Sequence, residues 1–463
     1  MSSVASRPFL VALSAAELAE HLRALGAERF RAAQIEDELT GRFNADVRQM
    51  RLLPLELREQ LSREFFAPSS RIREQISSGQ GVEKLLLELF DGEVVEAAVI
   101  PNDDGRITLC LSTQVGCPVQ CRFCASGRGG LVRNLYCGEI IEAFLWGCRT
   151  AGRKADNLVF MGIGEGLLNF TELASALELL TGRFGLSPRR ITISTSGYVP
   201  GIRRLAELGR EYNLAISLHA PDDAVRAQLI PDHLRYDIAE ILAAADDWRS
   251  RCNRRYTLEY TLIAGVNDSD AQARELGRLA YRHLAKVNLI PYNDTQSGFS
   301  RPERARIESF AAQVKATGAA CTRRVERGSS GSAACGQLRV NAGKAAGRLA
   351  LFLLFVLTVI AGASCQAFRE AFSAEESNVQ VREKPAAGSG RDPMRDMFGM
   401  PRRDDRPELL HDSDLSSRER ELLDQHYVDF RNDADVRSVH DSYDRRKRAN
   451  DDWVFGKNPF RQD

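Results

Sequence analysis

Cys117-Pro118-Val119-Gln120-Cys121-Arg122-Phe123-Cys124 sets three cysteines at CxxxCxxC spacing, just after a short apolar run that ends in Leu109, Cys110 and Leu111. Iron–sulfur clusters normally take four cysteine thiolates. Three thiolates on one short loop can therefore ligate three irons of a cubane and leave the fourth iron open to a substrate. A zinc knuckle is the other use of such a loop. Zinc sites usually close with a fourth Cys or His at knuckle spacing, and none follows nearby.

Beyond the loop, apolar strand-like runs alternate with helical patterns. Strands are predicted at Asn157–Met161, Arg190–Thr195, Leu214–Leu218, Tyr256–Leu262, Lys286–Ile290 and Ala320–Val325. Helices are predicted at Thr171–Thr181, Gly201–Gly209, Ile238–Arg249 and Ala271–His283. Such β–α alternation predicts a parallel sheet, open or closed into a barrel. Chemistry in these folds sits at the C-terminal ends of the strands. Gly164-Glu165, Ser194, Ser217-Leu218-His219 and Asn293 each end a predicted strand or begin the loop after it, which predicts one shared site. In Gly162-Ile163-Gly164-Glu165, glycines let a ligand approach the backbone and the carboxylate can bind an ammonium group; a plain strand-end turn explains the same residues.

Upstream, residues 14–78 read as helical. Ser14 and Glu17 form a capping-box pattern and Gly26 stands where a C-cap falls. Arg29, Arg31, Arg48, Arg51, Arg58 and Arg63 recur there, as a solvated helical face or as an RNA grip. From Lys84 to Pro101, apolar runs broken at Asp91-Gly92 predict a hairpin. The expected organisation is a helical accessory domain at 1–80, RNA-binding on the second reading of its arginines, a β-hairpin connector at 81–102 and an α/β core at 103–340 that ends in the Cys335 loop. An apolar segment at 341–365 and a charged, mostly disordered tail at 366–463 complete it.

The 463 residues balance 63 basic against 63 acidic groups. Residues 366–463 hold 18 basic and 22 acidic ones, which leaves 45 and 41 for the remainder, a weak pointer to RNA at most. Ten cysteines without a secretory start argue for a reducing compartment, so a cytoplasmic location is expected. Lys344 and Arg348 precede an apolar run from Leu349 to Ala361, followed by Gly362-Ala363-Ser364-Cys365. At a chain start this is a lipoprotein signal; in mid-chain it is a marginal membrane span or a junction of two joined reading frames. Membrane association is expected only if the 349–363 segment serves as an anchor. In the tail, a helix is expected from Ser416 or Ser417 to about Phe430.

Two further cysteines stand out. Cys110 lies on the strand that feeds the loop. Cys335 lies among small residues in a Gly- and Ser-rich stretch, Gly328 to Gly336, where a thiolate can be reached. Cys137, Cys148, Cys252 and Cys321 fit the usual role of small buried hydrophobes.

These residues together carry a family resemblance. Val95-Glu96, Ser112-Thr113-Gln114-Val115-Gly116-Cys117, Cys121, Cys124-Ala125 and Arg133-Asn134-Leu135 contribute to it, as do Met161 to Glu165 and Ser194-Thr195-Ser196-Gly197. It continues through Ser217-Leu218-His219-Ala220-Pro221, Asn288-Leu289-Ile290-Pro291 and Ala334-Cys335-Gly336-Gln337-Leu338. Over about residues 14 to 340 the chain resembles the radical S-adenosylmethionine RNA methyltransferases that methylate an adenine ring carbon, the RlmN/Cfr family. It is closer to the branch that methylates C2.

The resemblance implies an α/β fold, a partial (β/α)6 radical SAM barrel. It implies that Cys117, Cys121 and Cys124 hold a 4Fe–4S cluster. Gly164, Glu165, Ser194, Ser217, Leu218, His219 and Asn293 would contact S-adenosylmethionine, two molecules of which are used per turnover. Cys335 would accept a methyl group from the first molecule. Reductive cleavage of the second gives a 5′-deoxyadenosyl radical, which takes hydrogen from that methyl, and the carbon radical adds to adenine C2. Glu96 would accept a proton, and Cys110 would attack Cys335 to form a transient disulfide and release the product. The substrates implied are an adenosine of 23S rRNA, free or in an assembling large subunit, and one of tRNA. An electron donor such as flavodoxin or ferredoxin is implied, and the enzyme is expected to be a monomer.

The alternatives are C8 methylation of the same adenosine, or an inactive core that serves as an RNA-binding or membrane-tethered protein. Cys110, Cys335 and Glu96 together argue against an inactive core. Two departures from the family pattern bear on the site: Gly166 replaces a proline, which predicts a looser loop, and Ser329-Ser330-Gly331-Ser332 replaces a more acidic stretch beside Cys335.

Overall fold

Register decides which side chains of a sheet share a face, because successive residues alternate and in-register neighbours point the same way. In this chain that rule separates the core from the site. The computed structural model describes residues 7–77 and 81–324. The apolar segment, the charged tail and Cys335 lie outside the described residues.

Three helices come first: α1 (Ala15–Ala24), α2 (Phe30–Gly41) and α3 (Leu55–Glu64). The α1 capping box forms as expected. The Ser14 hydroxyl accepts from the Glu17 amide at 3.2 Å, and the Glu17 carboxylate accepts from the Ser14 amide at 2.7 Å. At the other end Gly26 takes φ +71°. Its amide donates to Arg23 and that of Ala27 to Leu22, which is a Schellman stop.

Residues 71–77 depart from the expected helix. They form β1 (Arg71–Ser77), antiparallel to β2 (Glu83–Glu88), with Arg71 opposite Glu88 and Ser77 opposite Glu83. Ile72 and Ile76 suit a helix face at spacing four, but in the strand a bulge between Ile72 and Glu74 turns them to opposite faces, Ile72 beside Leu87 and Ile76 beside Lys84. Pairing with β2 decides between the two, and the charged residues Arg71, Arg73 and Glu74 suit an outer edge. The hairpin at Asp91-Gly92 joins β2 to β3 (Val94–Pro101) as expected. It is not a separate connector, because β3 pairs in turn with β4 (Ile107–Leu111). The boundary expected at residue 80 therefore falls inside a sheet.

The small ribbon β5 (Gln114–Gly116) and β6 (Leu131–Asn134) closes the base of the cysteine loop. Then come α4 (Cys137–Ala151), β7 (Asn157–Phe160), α5 (Phe170–Gly182), β8 (Ile191–Thr195), α6 (Val199–Glu207) and β9 (Asn213–Ser217). They are followed by α7 (Asp223–Leu229), α8 (Ile238–Cys252), β10 (Thr257–Leu262), α9 (Asp270–Arg282), β11 (Lys286–Pro291), α10 (Arg304–Ala316) and β12 (Ala320–Arg323). The sheet order is β1-β2-β3-β4-β7-β8-β9-β10-β11-β12, parallel from β4 onward and open at both edges. Six β/α units, from β4–α4 to β11–α10, thus make the expected partial barrel.

One face of this sheet is apolar. Leu109 and Leu111, Leu158 and Phe160, Ile191 and Ile193, Leu214 and Ile216, Leu258 and Tyr260, and Val287 and Leu289 are all buried on it. Leu109 packs on α4 so closely that a Cβ on Gly147 would lie 2.8 Å from its Cδ1. Fully burying each such side chain contributes roughly 1.5–3 kcal/mol. The first helices join the same core through Leu18, Leu22, Ile35, Leu39 and Leu61. Two polar contacts fix the junction. Arg183 donates to the carbonyls of Val11 and Leu13 and pairs with Glu36 at 2.8 Å. Glu142 of α4 accepts from the Ser69 amide, the Ser69 hydroxyl and the Ser70 hydroxyl.

Candidate active site

The opposite face of the sheet is polar. Cys110 is in register with Val159, and Val159 with Thr192. Ser217, Glu259, Asn288 and Thr322 occupy one register row across β9 to β12. Glu96 is two residues from Ala98, the partner of Cys110, so Glu96 and Cys110 stand on this same face as diagonal neighbours on adjacent strands. Both are buried. Glu96 and Cys110 are thus neighbours, and Ser194 and Ser217 lie farther along the same face; strand-end position predicted a shared site for the two serines, and the family resemblance implies roles for Glu96 and Cys110.

The cysteine loop hangs over the C-terminal ends of the strands, tied down from several sides. Gly116 has φ +80°, and a Cβ there would meet the Gly130 carbonyl oxygen at 2.0 Å, so no side chain fits. The Cys117 amide donates to that same carbonyl at 2.9 Å, and the Cys124 amide to the Cys121 carbonyl at 3.0 Å. The Arg122 amide donates to Leu229 of α7 at 2.9 Å. His233 Nε2 lies 2.7 Å from the Pro118 carbonyl oxygen. The Thr295 hydroxyl donates to the Phe123 carbonyl at 2.9 Å, which joins the loop to the segment that carries Asn293.

Burial pushes the Cys117 thiol up to about 12 and the Cys121 thiol well above its ordinary value, and charge on the neighbouring loop cysteines pushes both further. Such thiols stay protonated until a metal replaces the proton, since a coordinating thiol is deprotonated outright. Two desolvated thiols, Cys117 and Cys121, interacting with each other or with Cys124 on one loop fit a cluster that takes one thiolate per iron. No three His, Cys, Asp or Glu side chains among the described residues converge on a single metal ion.

Glu165 is buried, and its Oε2 accepts from the Ser196 amide at 2.6 Å. Its own amide donates to Gln114 Oε1 at 2.8 Å, and Gln114 Nε2 donates to Asn134. Burial raises its carboxyl against the pull of hydrogen bonds from Ser196, Thr195 and the Leu167 amide. The neighbouring glycines serve the chain itself, where the sequence had suggested room for a ligand. A Cβ on Gly162 would lie 2.7 Å from the Leu111 carbonyl carbon, and one on Gly164 2.7 Å from Thr113 Oγ1. Gly166 opens a short 3-10 turn at Gly166–Asn169, capped by the Glu165 side chain on the Leu167 amide.

His219 has φ +58° and is buried. Its Nδ1 accepts from the Thr261 amide at 3.0 Å, and Asn267 holds its carbonyl oxygen at 2.8 Å. Burial pushes its pKa down to about 3, so the ring is neutral and carries its proton on Nε2. The ring meets the edge of Phe123 at 4.8 Å. Leu218 is fully buried in the core, its amide donating to the Ile216 and Glu259 carbonyls and its own carbonyl accepting from Arg226 at 2.6 Å. Asn293 lies two residues beyond β11 and is partly exposed.

Glu259 was not found in the sequence. It is buried, burial raises its carboxyl, and it accepts from Asn288 Nδ2 at 2.8 Å, while Thr322 donates to Asn288 Oδ1 at 3.2 Å. The alternation Thr257-Leu258-Glu259-Tyr260-Thr261 held the signal, with every second residue polar. Among the arginines of the first helices, Arg48 pairs with Asp46 and Arg31 with Glu28, and Arg58 donates to the Arg48 carbonyl. Arg29, Arg51 and Arg63 are exposed. A cleft of about 490 Å3 lined by Arg153, Lys154, Asp156, Ser187 and Arg190 lies at the N-terminal ends of β7 and β8, away from the cysteines.

Comparison with known proteins gives the family and the fold. Residues 111–276 match the Radical SAM superfamily. A protein of Akkermansia muciniphila named "Probable dual-specificity RNA methyltransferase RlmN" is 40% identical over 343 residues, which cover 72% of this chain and 96% of that protein. A protein of the same name from Thermotoga neapolitana is 41% identical over 336 residues, covering 72% and 97%. The crystal structure of a radical SAM methyltransferase from Sphaerobacter thermophilus superposes with a TM-score of 0.68 at 40% identity, over 71% of this chain and 98% of that one.

Proposed function

Because this chain belongs to the RlmN family of radical S-adenosylmethionine methyltransferases, we propose that it methylates C2 of an adenosine in 23S ribosomal RNA and in transfer RNA. The observation that carries the proposal is the common face of Glu96, Cys110, Ser194 and Ser217, opposite the helical layer. Adenine C2 is electron-poor and cannot attack a sulfonium methyl, so this substrate needs radical chemistry. A protein thiolate is a good nucleophile and can take the methyl first.

Cys117, Cys121 and Cys124 would hold the 4Fe–4S cluster, which supplies the electron that cleaves S-adenosylmethionine. Gly164, Glu165, Ser194, Ser217, Leu218, His219 and Asn293 would bind and orient that cofactor, with His219 a fixed neutral donor through Nε2. Cys335 would accept the methyl group, forming a sulfur–carbon bond as the sulfonium bond breaks, which makes the demand two S-adenosylmethionine molecules per turnover. Glu96 would take the proton lost from C2. The Cys110 thiolate would then attack the Cys335 sulfur, forming the S–S bond as the S–CH2 bond breaks; the departing carbon would keep that electron pair and take a proton to complete the methyl group, and a two-electron thiol-type reductant would reopen the disulfide. The adenosine must be unstacked to reach a site at the strand ends. Arg29, Arg51 and Arg63 are offered as backbone contacts for the RNA. Such chemistry suits a monomer in the cytoplasm supplied by a flavodoxin- or ferredoxin-type donor.

The test is transfer of labelled methyl from S-adenosylmethionine to purified 23S rRNA and tRNA under anaerobic reduction. Wild-type protein should label both. Cys335→Ala should keep its cluster absorption and label neither; labelling by that variant would rule out a protein-bound methyl carrier.

A further inference from the structure

Arg226 is fully buried at the centre of α7. Its Nη1 donates to the carbonyls of Ser217 at 3.1 Å and Leu218 at 2.6 Å, and its Nη2 donates to the Ser196 carbonyl. Its Nε has no partner. The guanidinium therefore hydrogen-bonds only to neutral carbonyls, with the Asp223 carboxylate acting on it through space, and a buried charge without a directly paired counter-charge costs several kcal/mol. Three residues on, the Leu229 carbonyl takes the amide of Arg122, the neighbour of Cys121, so the end of α7 abuts the cysteine loop. Burial weakens Arg226's hold on its proton, and charge on Cys121 is the strongest influence in the opposite direction, ahead of Asp223.

We propose that Arg226 is the buried counter-cation of the cluster held by Cys117, Cys121 and Cys124, and that its charge raises the cluster's reduction potential. The proposal rests on the cluster assignment above. A cubane with thiolate ligands is net negative, and reduction adds negative charge, so a nearby fixed cation favours the reduced form. The same side chain clamps the carbonyls beside Ser196, Ser217 and Leu218. Arg226 thus acts as a positioning residue for the cofactor strands as well as an electrostatic one for the cluster. That double duty explains an arginine in a place where a core would otherwise take an apolar residue.

The two duties separate by experiment. Full-length protein is reconstituted anaerobically, its iron is counted, and the cluster is titrated by EPR-monitored potentiometry in wild type, Arg226→Gln and Arg226→Lys. Arg226→Gln should load its cluster and show a more negative potential, whereas Arg226→Lys, which keeps the charge but loses the fork of carbonyl bonds, should stay close to wild type. An unchanged potential in a fully loaded Arg226→Gln would overturn the proposal. If the Gln variant does not fold or load, the charge-removing Arg226→Met takes its place beside Arg226→Lys: a more negative potential in Met with a wild-type one in Lys supports the charge, and an unchanged potential in loaded Met overturns the proposal. Wild-type protein without a cluster signature would defeat the cluster assignment itself and the proposal with it.

Discussion

His219 is the residue where backbone and chemistry meet most tightly. A buried Thr261 amide depends on its Nδ1 for a partner, and that bond also fixes the tautomer. His219→Phe would fill similar space and leave the amide unpaired, a loss of about 1–3 kcal/mol. The expected outcome is a lower melting temperature together with weaker S-adenosylmethionine binding in equilibrium dialysis; unchanged binding would remove His219 from the cofactor site. Much of the site was legible at this scale. The cysteine spacing, Glu165 and the Ser217-Leu218-His219 strand end were all readable, since each is a compact motif. Glu259 and Arg226 were not. Neither forms a motif with its neighbours in sequence, and each matters only through residues on other strands.

At the scale of elements, the predicted strands and helices of the parallel region fall within a few residues of those observed, because apolar runs and helical periods there are unambiguous. The differences lie at 71–77, where the spacing of Ile72 and Ile76 fits a helix and a bulge breaks the strand period between them, and at α4, α7 and α10, which were not among the expected helices. α4 carries Glu142, the clasp on Ser69 and Ser70. Burial raises its carboxyl from an ordinary 4.5 to about 7, against the hydrogen bonds of those serines. A folded pKa above the unfolded one means the native state binds the proton more tightly. This group's stabilisation is therefore complete below about pH 4.5 and is lost as pH rises through about 7. In urea titrations at pH 5 and pH 8, about the two ends of that window, Glu142→Gln should flatten the decline seen in wild type. Glu142→Ala, which strands three donors, should lose on the order of 3 kcal/mol at either pH. A wild-type protein more stable at the higher pH would contradict the assigned burial.

For the whole molecule, two questions remain in play: how much of the chain the chemistry needs, and where on the base the methyl goes. The relatives named above are matched over nearly their full length by about 70% of this chain. No helix among the described residues is long and apolar enough to cross a membrane, and the apolar run at 349–361 lies outside them. Removal of residues 342–463 should leave methyl transfer at the wild-type rate, and a dead truncation would give the tail a role in catalysis. Ring-carbon methylation is the proposal drawn from membership of the RlmN family, and the diagonal placement of Glu96 and Cys110 on the polar sheet face is compatible with the roles proposed for them. The measurement that tests this most directly is mass spectrometry of nucleosides from 23S rRNA and tRNA treated anaerobically with the reconstituted enzyme. The predicted product in both RNAs is 2-methyladenosine; 8-methyladenosine, or adenosine unchanged by an enzyme with an intact cluster, would contradict it.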